Sequence, residues 1–350
     1  MNKLKINNHE ISKENTPFII AEAGINHNGS VEKAVKMVKT AKNAGVSAIK
    51  FQTFKAHEFI SDSSLTYTYT SHGKSITESQ LDLFKRCELS NDDFYKIKKT
   101  CDDEKIIFLS TPQNKSDLDF LLELGVSAIK VGSDDFTNIP LLKYYSKTKL
   151  PILISCGMTT LKEIKTTLAA IGTLDGYPTA LLLTTSEYPT LPQNVNLQKL
   201  RTLSEKFPDI PLGYSDHTQG NLASSIAISF GACIFEKHFT IDNSLPGPDH
   251  WFSSNPSNLK VWSDSIKTSY QMMGSSEILP TESEIKMKAI ARRSIVALDD
   301  IDIGETINEN NIGLRRPGTG LPPTMFELIL GKKATKKIEK FTILCEEDFA

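Results

Sequence analysis

The segment GVSAIK occurs twice in this chain, as residues 45–50 and again as residues 125–130. Each copy begins with a glycine that can end a helix, continues through a short apolar run and finishes on a lysine, Lys50 or Lys130. Wholly apolar runs of this length are typical of strands buried on both faces of a parallel sheet. The repeat therefore predicts a helix followed by a buried strand.

The same order of helix, glycine and apolar strand continues on both sides of the repeat. Eight such strands are predicted, at residues 18–21, 48–51, 106–109, 128–131, 152–154, 180–183, 212–214 and 232–235. Eight strand–helix units over about 270 residues match the (β/α)8 or TIM barrel, which typically needs about 250 residues. A doubly wound α/β sheet is the alternative at this level, but it seldom contains so many units.

The pattern changes after the eighth unit. We place a barrel domain with an N-terminal hairpin at residues 1–275, a linker at 276–289 and a small α+β domain at 290–350, where short strands alternate with Gly/Pro turns. A domain of about 60 residues buries little apolar surface, so we expect it to pack on its own barrel or on a partner. Between the second and third strands, residues 55–91 are polar and aromatic, which predicts a loop over the barrel mouth.

Composition narrows the class of function. The formal net charge of the 350 residues is −2, which gives no reason to expect a nucleic acid or a membrane surface as partner. The five cysteines are dispersed without C-x-x-C spacing, so a cytoplasmic protein without disulfides or structural zinc is predicted. We expect no signal peptide and no membrane helix, because no segment approaches the roughly 18 apolar residues that a span needs.

Polar side chains follow the predicted strands at their carboxyl ends, where barrel enzymes place their chemistry. In chain order these ends carry Glu22, Lys50, Gln52, Ser110, Thr111, Lys130, Ser133, Ser155, Thr185, Ser186, Ser215, His217, Glu236 and His238. Two lysines and several hydroxyls at one mouth suit a phosphorylated substrate. The two histidines occupy matching positions in successive units and are candidate ligands of one divalent metal.

Each of these residues also has a purely structural interpretation. A single lysine at a strand end is commonly a solvated charge, and a histidine there is commonly a hydrogen-bonded structural group. His27, in the first mouth loop, is either structural or substrate-facing, and His9, His57 and His72 are expected at the surface. Cys156 follows Ser155 without a neighbouring base, so we expect it to pack in the core.

The strand-end motifs resemble those of the sialic acid (nonulosonic acid) synthases, in order along nearly the whole chain. The matching segments are residues 20–29 (IAEAGINHNG), 49–52 (IKFQ), 109–112 (LSTP), 129–133 (IKVGS), 155–158 (SCGM), 188–190 (YPT), 215–218 (SDHT), 236–240 (EKHFT) and 246–249 (PGPD). Residues 315–320 (RRPGTG) resemble the antifreeze-like (SAF) domain that ends those enzymes.

This resemblance implies a transferase that condenses phosphoenolpyruvate with N-acetylmannosamine or a related N-acetylated hexosamine. Phosphate leaves by C–O cleavage and N-acetylneuraminate is the implied product. The implied roles are binding of phosphoenolpyruvate by Lys50, Thr111, Lys130, Ser133, Ser155 and Ser215; binding of the sugar by Gln52, Tyr188, Asp249 and Arg316; metal binding by His217 and His238; and catalysis by Glu22, Lys50, Lys130, His217 and His238. The implied metal is Mn²⁺, with Mg²⁺ or Co²⁺ as alternatives.

Arg316 would reach the sugar from the tail of a partner subunit, which implies a domain-swapped homodimer. Two residues depart from the N-acetylneuraminate synthases: Asp135 where many carry Glu, and Ser186 where many carry Asn. Both are expected near the pocket, so a legionaminic acid synthase that uses 2,4-diacetamido-2,4,6-trideoxymannose is an alternative. Asp216, between Ser215 and His217, has no assigned role.

Two further alternatives belong to other classes. A metal-free aldolase would form a Schiff base on Lys50 or Lys130, since a desolvated lysine can be nucleophilic. A non-enzymatic protein would use the tail to bind ice or sugar, with the barrel as a scaffold. The second alternative leaves the lysines and histidines at one mouth without a purpose.

Overall fold

The structure of this protein is a computed structural model that describes residues 4–71 and 73–350, in two units, Met1–Gly274 and Ser275–Ala350. The strands are β1 (Leu4–Ile6), β2 (His9–Ile11), β3 (Phe18–Gly24), β4 (Ala48–Thr53), β5 (Thr66–Ser71), β6 (Lys74–Ser79), β7 (Ile107–Pro112), β8 (Ile129–Val131), β9 (Ile152–Ser155), β10 (Thr179–Leu183), β11 (Leu212–Asp216), β12 (Ala232–His238), β13 (Ser294–Ala297) and β14 (Ile312–Arg315). The α-helices are α1 (Val31–Asn43), α2 (Ala56–Phe59), α3 (Gln80–Cys87), α4 (Asn91–Asp103), α5 (Lys115–Leu124), α6 (Ile139–Ser146), α7 (Leu161–Ala170), α8 (Gln198–Lys206), α9 (Leu222–Ser229), α10 (Pro256–Met273), α11 (Glu282–Ala291) and α12 (Phe326–Ile329).

Eight parallel strands form a ring in the first unit. Its order is β3, β4, β7, β8, β9, β10, β11 and β12, with β12 paired to β3 and β7 lying beside β8. The predicted (β/α)8 barrel is therefore confirmed, and each of the eight predicted strands is present. The predicted N-terminal hairpin is present as the antiparallel pair β1 and β2.

Side chains alternate between the two faces of each barrel strand. Outward residues such as Ile19 and Ile49 pack in one large core with helix residues such as Met37. Inward residues such as Ile20 and Ala48 pack in a second core inside the ring. The β1–β2 hairpin contributes Leu4, Ile6 and Ile11 to this inner core, so it closes the amino-terminal end of the barrel.

The insert between β4 and β7 contains helices and strands, so the prediction that residues 55–91 are a loop is wrong. It contains α2, the antiparallel hairpin β5–β6 and α3. A small apolar cluster of Ile25, Phe54, Leu83 and Cys87 attaches it to the first mouth loop. The insert is anchored by aromatic and apolar side chains that occur at intervals in an otherwise polar segment. Their spacing in the sequence is too sparse to predict strands or helices.

The second unit has its own core and short elements. Strands β13 and β14 pair antiparallel, and Ile295, Ile307, Ile329 and Leu344 are among the residues of its core. Helix α11 occupies much of the predicted linker at residues 276–289. Within the described residues, no helix of either unit is both long and apolar enough to cross a membrane.

Candidate active site

A cavity of about 560 Å³ opens at the carboxyl end of the barrel strands. It is lined by every residue of the first unit to which the resemblance gives a role: Glu22, Lys50, Gln52, Thr111, Lys130, Ser133, Ser155, Tyr188, Ser215, His217, His238 and Asp249. Of the other predicted strand-end residues, Ser186 and Glu236 line the cavity, whereas Ser110 and Thr185 do not. Arg316 lies in the second unit, immediately after β14, and its side chain is exposed. The sequence therefore predicts which residues of the barrel meet in this cavity.

Strand alternation explains why these residues meet. On β3 the inward positions are Phe18, Ile20 and Glu22, and on β4 they are Ala48 and Lys50, so each strand changes from apolar to charged toward the mouth. The cavity lies directly above the inner core because every barrel strand follows the same alternation.

Two lysines and two glutamates form a buried cluster at the bottom of the cavity. Lys50 Nζ lies 2.7 Å from Glu22 Oε2 and 4.0 Å from Glu236 Oε2, while Lys130 Nζ lies 3.5 Å from Glu236 Oε1. At most 6% of any of these four side chains is exposed. Opposite charges must compensate one another at such a depth, because an unpaired buried charge is strongly destabilising.

Hydroxyl groups complete the surroundings of the two lysines. Lys50 Nζ donates to Thr111 Oγ1 at 3.1 Å, and Lys130 Nζ donates to Ser155 Oγ at 2.8 Å. Ser215 Oγ donates to Glu236 Oε1 at 3.0 Å. The arrangement combines fixed positive charge with directional hydrogen-bonding groups, which is a suitable cradle for a phosphate or carboxylate.

Glu236 is a residue of the site that sequence reasoning leaves without a role. It pairs in register with Ser215 across β11 and β12, and it contacts both lysines and Ser215. The signal is present in the sequence, because Glu236 shares the inward parity of His238 on β12. What the sequence does not reveal is that one carboxylate reaches both lysines.

The two glutamates differ in the direction of their pKa shifts. Burial raises the pKa of Glu22 to about 7, and this effect outweighs the lowering by the Lys50 ammonium group. Burial alone would also raise the pKa of Glu236, but the ammonium groups of Lys130 and Lys50 together hold it below its ordinary value. Carboxyl groups with separated pKa values are typical of acid–base sites, and Glu22 is the one that can gain or lose a proton near neutral pH.

His217 and His238 lie side by side at the mouth, with ring centroids 5.4 Å apart. His217 Nδ1 lies 2.8 Å from the Thr185 carbonyl oxygen, to which it can only donate, so Nε2 keeps its lone pair. His238 Nδ1 is buried without a hydrogen-bond partner and lies 3.8 Å from Asp249 Oδ2. Burial lowers the pKa of His217 to about 4 and that of His238 well below its ordinary value, so both rings are neutral at pH 7.

These histidines fit a metal-binding role. Neutral imidazole is the form that binds a metal, and a backbone carbonyl on the second nitrogen is the usual way to orient such a ring. No cluster of three or more histidine, cysteine or acidic residues suited to a metal occurs in the described part of the chain. Two histidine nitrogens would leave most coordination positions to water or substrate.

The outer half of the cavity is aromatic and apolar. The Tyr188 ring lies 4.2 Å from the His217 ring between centroids, and Leu83 and Phe84 of α3 form part of the wall. Tyr67, from the β5–β6 hairpin, also lines the cavity, and the charge of Asp249 acts with burial to raise the Tyr67 pKa. The sequence places the insert that contains Tyr67 over the mouth but gives Tyr67 no role, because only the folded hairpin shows which of its residues lines the cavity.

The two residues that differ from the N-acetylneuraminate synthases, Ser186 and Asp135, lie in different positions relative to the cavity. Ser186 lines the cavity as expected. Asp135 does not line it; its carboxylate accepts a hydrogen bond from Asn138 Nδ2 at 2.8 Å, next to the start of α6. The neighbouring Asp134 lines the cavity instead, so the expectation for Asp135 is wrong by one position.

The remaining candidate residues have structural environments. His27 is buried, its Nδ1 accepts a hydrogen bond from the Gly29 amide, and burial lowers its pKa to about 4. Cys156 is buried in the large core, as expected, and burial raises its pKa to about 12. His9 and His57 are exposed, and His72 lies outside the described residues.

Replacing Glu22 by Gln is expected to change how stability depends on pH. Between the ordinary value of 4.5 and about 7, the folded protein retains a proton on Glu22 that the unfolded chain has lost. This contribution to the free energy of unfolding is complete below pH 4.5 and disappears as the pH rises through about 7. The free energy of unfolding, measured in urea, should therefore fall for the wild type relative to Glu22→Gln as the pH rises from 4.5 to about 7.

The control for this measurement is Glu205→Gln, which changes an exposed carboxylate of α8. Its unfolding free energy should follow the wild-type pH curve throughout. A difference between wild type and Glu22→Gln that does not vary with pH would contradict the raised pKa of Glu22.

Comparison with known proteins gives consistent matches along the whole chain. The NeuB family model matches residues 37–278 and the SAF domain model matches residues 292–350. The chain is 38% identical to the N,N'-diacetyllegionaminic acid synthase of Legionella pneumophila, over 95% of this chain and 94% of that protein. It is 37% identical to the N,N'-diacetyllegionaminic acid synthase of Campylobacter jejuni, over 94% of this chain and 99% of that protein.

A solved structure is also similar. The N-acetylneuraminic acid (sialic acid) synthetase of Leptospira borgpetersenii, determined in complex with citrate, superposes with a TM-score of 0.73 at 30% identity. The match covers 81% of this chain and 94% of that one.

Proposed function

The chain belongs to the NeuB family and is an enzyme, and we propose that it is a nonulosonic acid synthase. In this proposal it condenses phosphoenolpyruvate with an N-acetylated hexosamine and releases inorganic phosphate. The observation that carries the proposal is the position of Lys50 and Lys130 beneath the two histidines of one cavity. One half of the cavity suits an anion and the other half suits a neutral, partly apolar molecule.

The lower half is suited to phosphoenolpyruvate. The phosphate and carboxylate groups of phosphoenolpyruvate would contact six residues there: Lys50, Lys130, Thr111, Ser133, Ser155 and Ser215. With both lysines protonated and both glutamates ionised, the four-residue cluster has no net charge, whereas a proton on Glu22 leaves it with one positive charge. The raised pKa of Glu22 therefore favours the binding of an anion beside it.

The upper half is suited to the sugar, which would contact Gln52, Tyr188 and Asp249. Carbon 3 of phosphoenolpyruvate attacks the sugar aldehyde, and cationic character develops at carbon 2. Water adds at carbon 2, and the tetrahedral intermediate expels phosphate by C–O cleavage. In its ionised form, which a pKa of about 7 makes accessible at neutral pH, Glu22 is suited to stabilise the cation and to accept the proton of the water.

His217 and His238 would hold a divalent metal ion, for which Mn²⁺ is our first choice and Mg²⁺ or Co²⁺ the alternatives. When bound, such an ion supplies Lewis acidity toward the sugar carbonyl oxygen. The hydrogen bond from His217 Nδ1 and the unpartnered Nδ1 of His238 support this assignment. Lys50 and Lys130 are less suited to a Schiff base, because both ammonium groups are engaged by carboxylates.

For the sugar, we propose 2,4-diacetamido-2,4,6-trideoxymannose, which gives N,N'-diacetyllegionaminic acid, with N-acetylmannosamine as the second candidate. Identity to the two legionaminic acid synthases is 37–38%, against 30% to the sialic acid synthetase structure. The wall formed by Ile25, Leu83 and Phe84 is apolar. Such a wall favours the methyl groups of a 6-deoxy, doubly acetylated sugar over a hydroxymethyl group.

The proposal is tested by measuring phosphate release from phosphoenolpyruvate with a panel of N-acetylated sugars, with and without EDTA. We expect release that EDTA stops and Mn²⁺ restores, fastest with the diacetamido sugar. His217→Ala and His238→Ala should each lower the rate by more than the roughly 10–100-fold that follows loss of a group behind a metal ligand, because each removes a ligand itself. His57→Ala, at an exposed histidine, is the control and should leave the rate unchanged.

Two results would contradict the proposal. Turnover that resists EDTA, together with borohydride trapping of a covalent adduct, would indicate the Schiff-base aldolase. Absence of phosphate release with every sugar of the panel would exclude the synthase reaction with these substrates.

Tyr67→Phe is expected to weaken sugar binding without affecting phosphoenolpyruvate. Tyr67 lines the cavity with 41% of its surface exposed and is close enough to Asp249 for that charge to act on its pKa. Loss of its hydroxyl should remove one hydrogen bond to the sugar, worth about 0.5–1.5 kcal/mol. The KM of the sugar should rise roughly two- to twelvefold while that of phosphoenolpyruvate stays constant. Tyr69→Phe, which alters the stacked neighbour bonded to Glu78, is the matched control. Equal sugar KM values for wild type and Tyr67→Phe would contradict this role.

We also propose a domain-swapped homodimer in which Arg316 of one subunit completes the sugar site of the other. Helix α11 supports a partner contact, because Ile285, Met287 and Ile290 are more than half exposed on it. The test is to mix two inactive variants, Lys130→Met and Arg316→Ala, and to allow subunits to exchange. A swapped heterodimer contains one wild-type site, so about a quarter of wild-type activity should return. No recovery, with exchange verified by mass spectrometry, would place Arg316 at its own barrel.

A further inference from the structure

Asp216 and Lys237 form a buried ion pair on the outer face of the barrel. They stand opposite each other in the register of β11 and β12, and Lys237 Nζ lies 3.1 Å from Asp216 Oδ2. The Lys237 side chain is 5% exposed and that of Asp216 is 0% exposed, and neither residue lines the cavity. Each is the residue immediately before one of the two site histidines.

The pair is joined to the surrounding helices. Asp216 Oδ2 accepts a hydrogen bond from Ser224 Oγ of α9 at 2.6 Å. Ser224 Oγ in turn accepts one from Trp262 Nε1 of α10 at 2.9 Å. The carboxylate is thereby fixed against two helices as well as against the neighbouring strand.

The same two residues hold the backbone that follows His217. Asp216 Oδ1 accepts hydrogen bonds from Thr218 N at 2.8 Å and Thr218 Oγ1 at 2.7 Å. Lys237 Nζ donates to the Thr218 carbonyl oxygen. His217 thus lies between Asp216, a member of the ion pair, and Thr218, which is hydrogen-bonded to both members. His238 directly follows Lys237 in the chain.

A buried ion pair contributes little net stability, because desolvation of the two charges offsets their attraction. Apolar residues would fill this space at least as well. What the pair does provide is a side-chain link between the ends of β11 and β12, directly before the residues that carry the two imidazole rings.

We propose that Asp216 and Lys237 are positioning residues that set the separation and orientation of His217 and His238 for metal binding. This inference rests on the proposed metal site. The pair contacts neither substrate nor the reacting atoms. Its effect reaches the site through the backbone at residues 216–218 and 237–238.

The test compares the double variant Asp216→Asn/Lys237→Met with wild type in direct Mn²⁺ titrations, followed by the electron paramagnetic resonance signal of free Mn²⁺. Removing both charges avoids an unpaired buried charge, so the protein should still fold, with a melting temperature lowered by the loss of hydrogen bonds to Thr218 and Ser224. The Kd for Mn²⁺ should rise about tenfold, the lower end of the range for loss of a group hydrogen-bonded to a metal ligand, because this pair acts through the backbone. The absorption spectrum of the Co²⁺-loaded protein should change as well, because it reports ligand geometry.

The matched control is Asp264→Asn/Lys260→Met, which removes an ion pair of 2.8 Å on the exposed face of α10. It should bind Mn²⁺ like wild type, with the same Co²⁺ spectrum. Ser224→Ala keeps both charges and removes one hydrogen bond to Asp216, so it serves if the double variant does not fold. It should weaken Mn²⁺ binding a few-fold.

His217→Ala separates failure of this inference from failure of the proposed function. If His217→Ala still binds Mn²⁺ at wild-type affinity, the metal site itself is refuted. If His217→Ala loses Mn²⁺ while the double variant, or Ser224→Ala in its place, keeps wild-type affinity and spectrum, the positioning role is overturned.

Discussion

The alternation of side chains along buried parallel strands is the constraint on which this protein depends. Inside a closed ring every second residue must find partners within the ring itself. Near the hairpin end those residues are apolar and pack against one another, and near the mouth they are charged and must be compensated. A change in the register of one strand would therefore disturb the inner core and the site together.

Charge compensation then determines the electrostatic state of the site. Glu236 accepts from Ser215 and faces both lysines, which stabilises its ionised form. Glu22 has one lysine and a position of complete burial, so its pKa rises toward neutrality. Two chemically identical groups thus differ in proton affinity because one has two cationic neighbours at close range and the other has one. The neutral histidines above them follow from the same low-dielectric surroundings.

Much of this arrangement is predictable from the sequence, and the exceptions have physical reasons. Apolar runs ending in Lys50, Lys130 or Glu236 indicate both strand and facing, because a buried strand has only two faces. The insert is less predictable, since its hairpin and helix depend on the packing of Leu83 and Cys87 against Ile25 and Phe54, which are distant in sequence or lie in loops. Asp134 rather than Asp135 lines the cavity because both residues lie in a turn, where the alternation of a strand no longer applies. The hydrogen bond from Asn138 holds the Asp135 carboxylate outside the cavity. The ion pair of Asp216 and Lys237 becomes visible only when the pairing of β11 and β12 is known.

The hairpin of β1 and β2 has a consequence for the order of events. By closing the amino-terminal end of the barrel with Leu4, Ile6 and Ile11, it leaves the cavity as a well that opens at the mouth. The lysine cluster lies at the bottom of the well, whereas Tyr67 and Tyr188 stand near its rim with more than 40% of their surface exposed. In the proposed reaction, a sugar seated at the rim would cover the route to the lysines. Phosphoenolpyruvate would then have to enter first and the new nine-carbon acid leave from above, which corresponds to an ordered sequential mechanism.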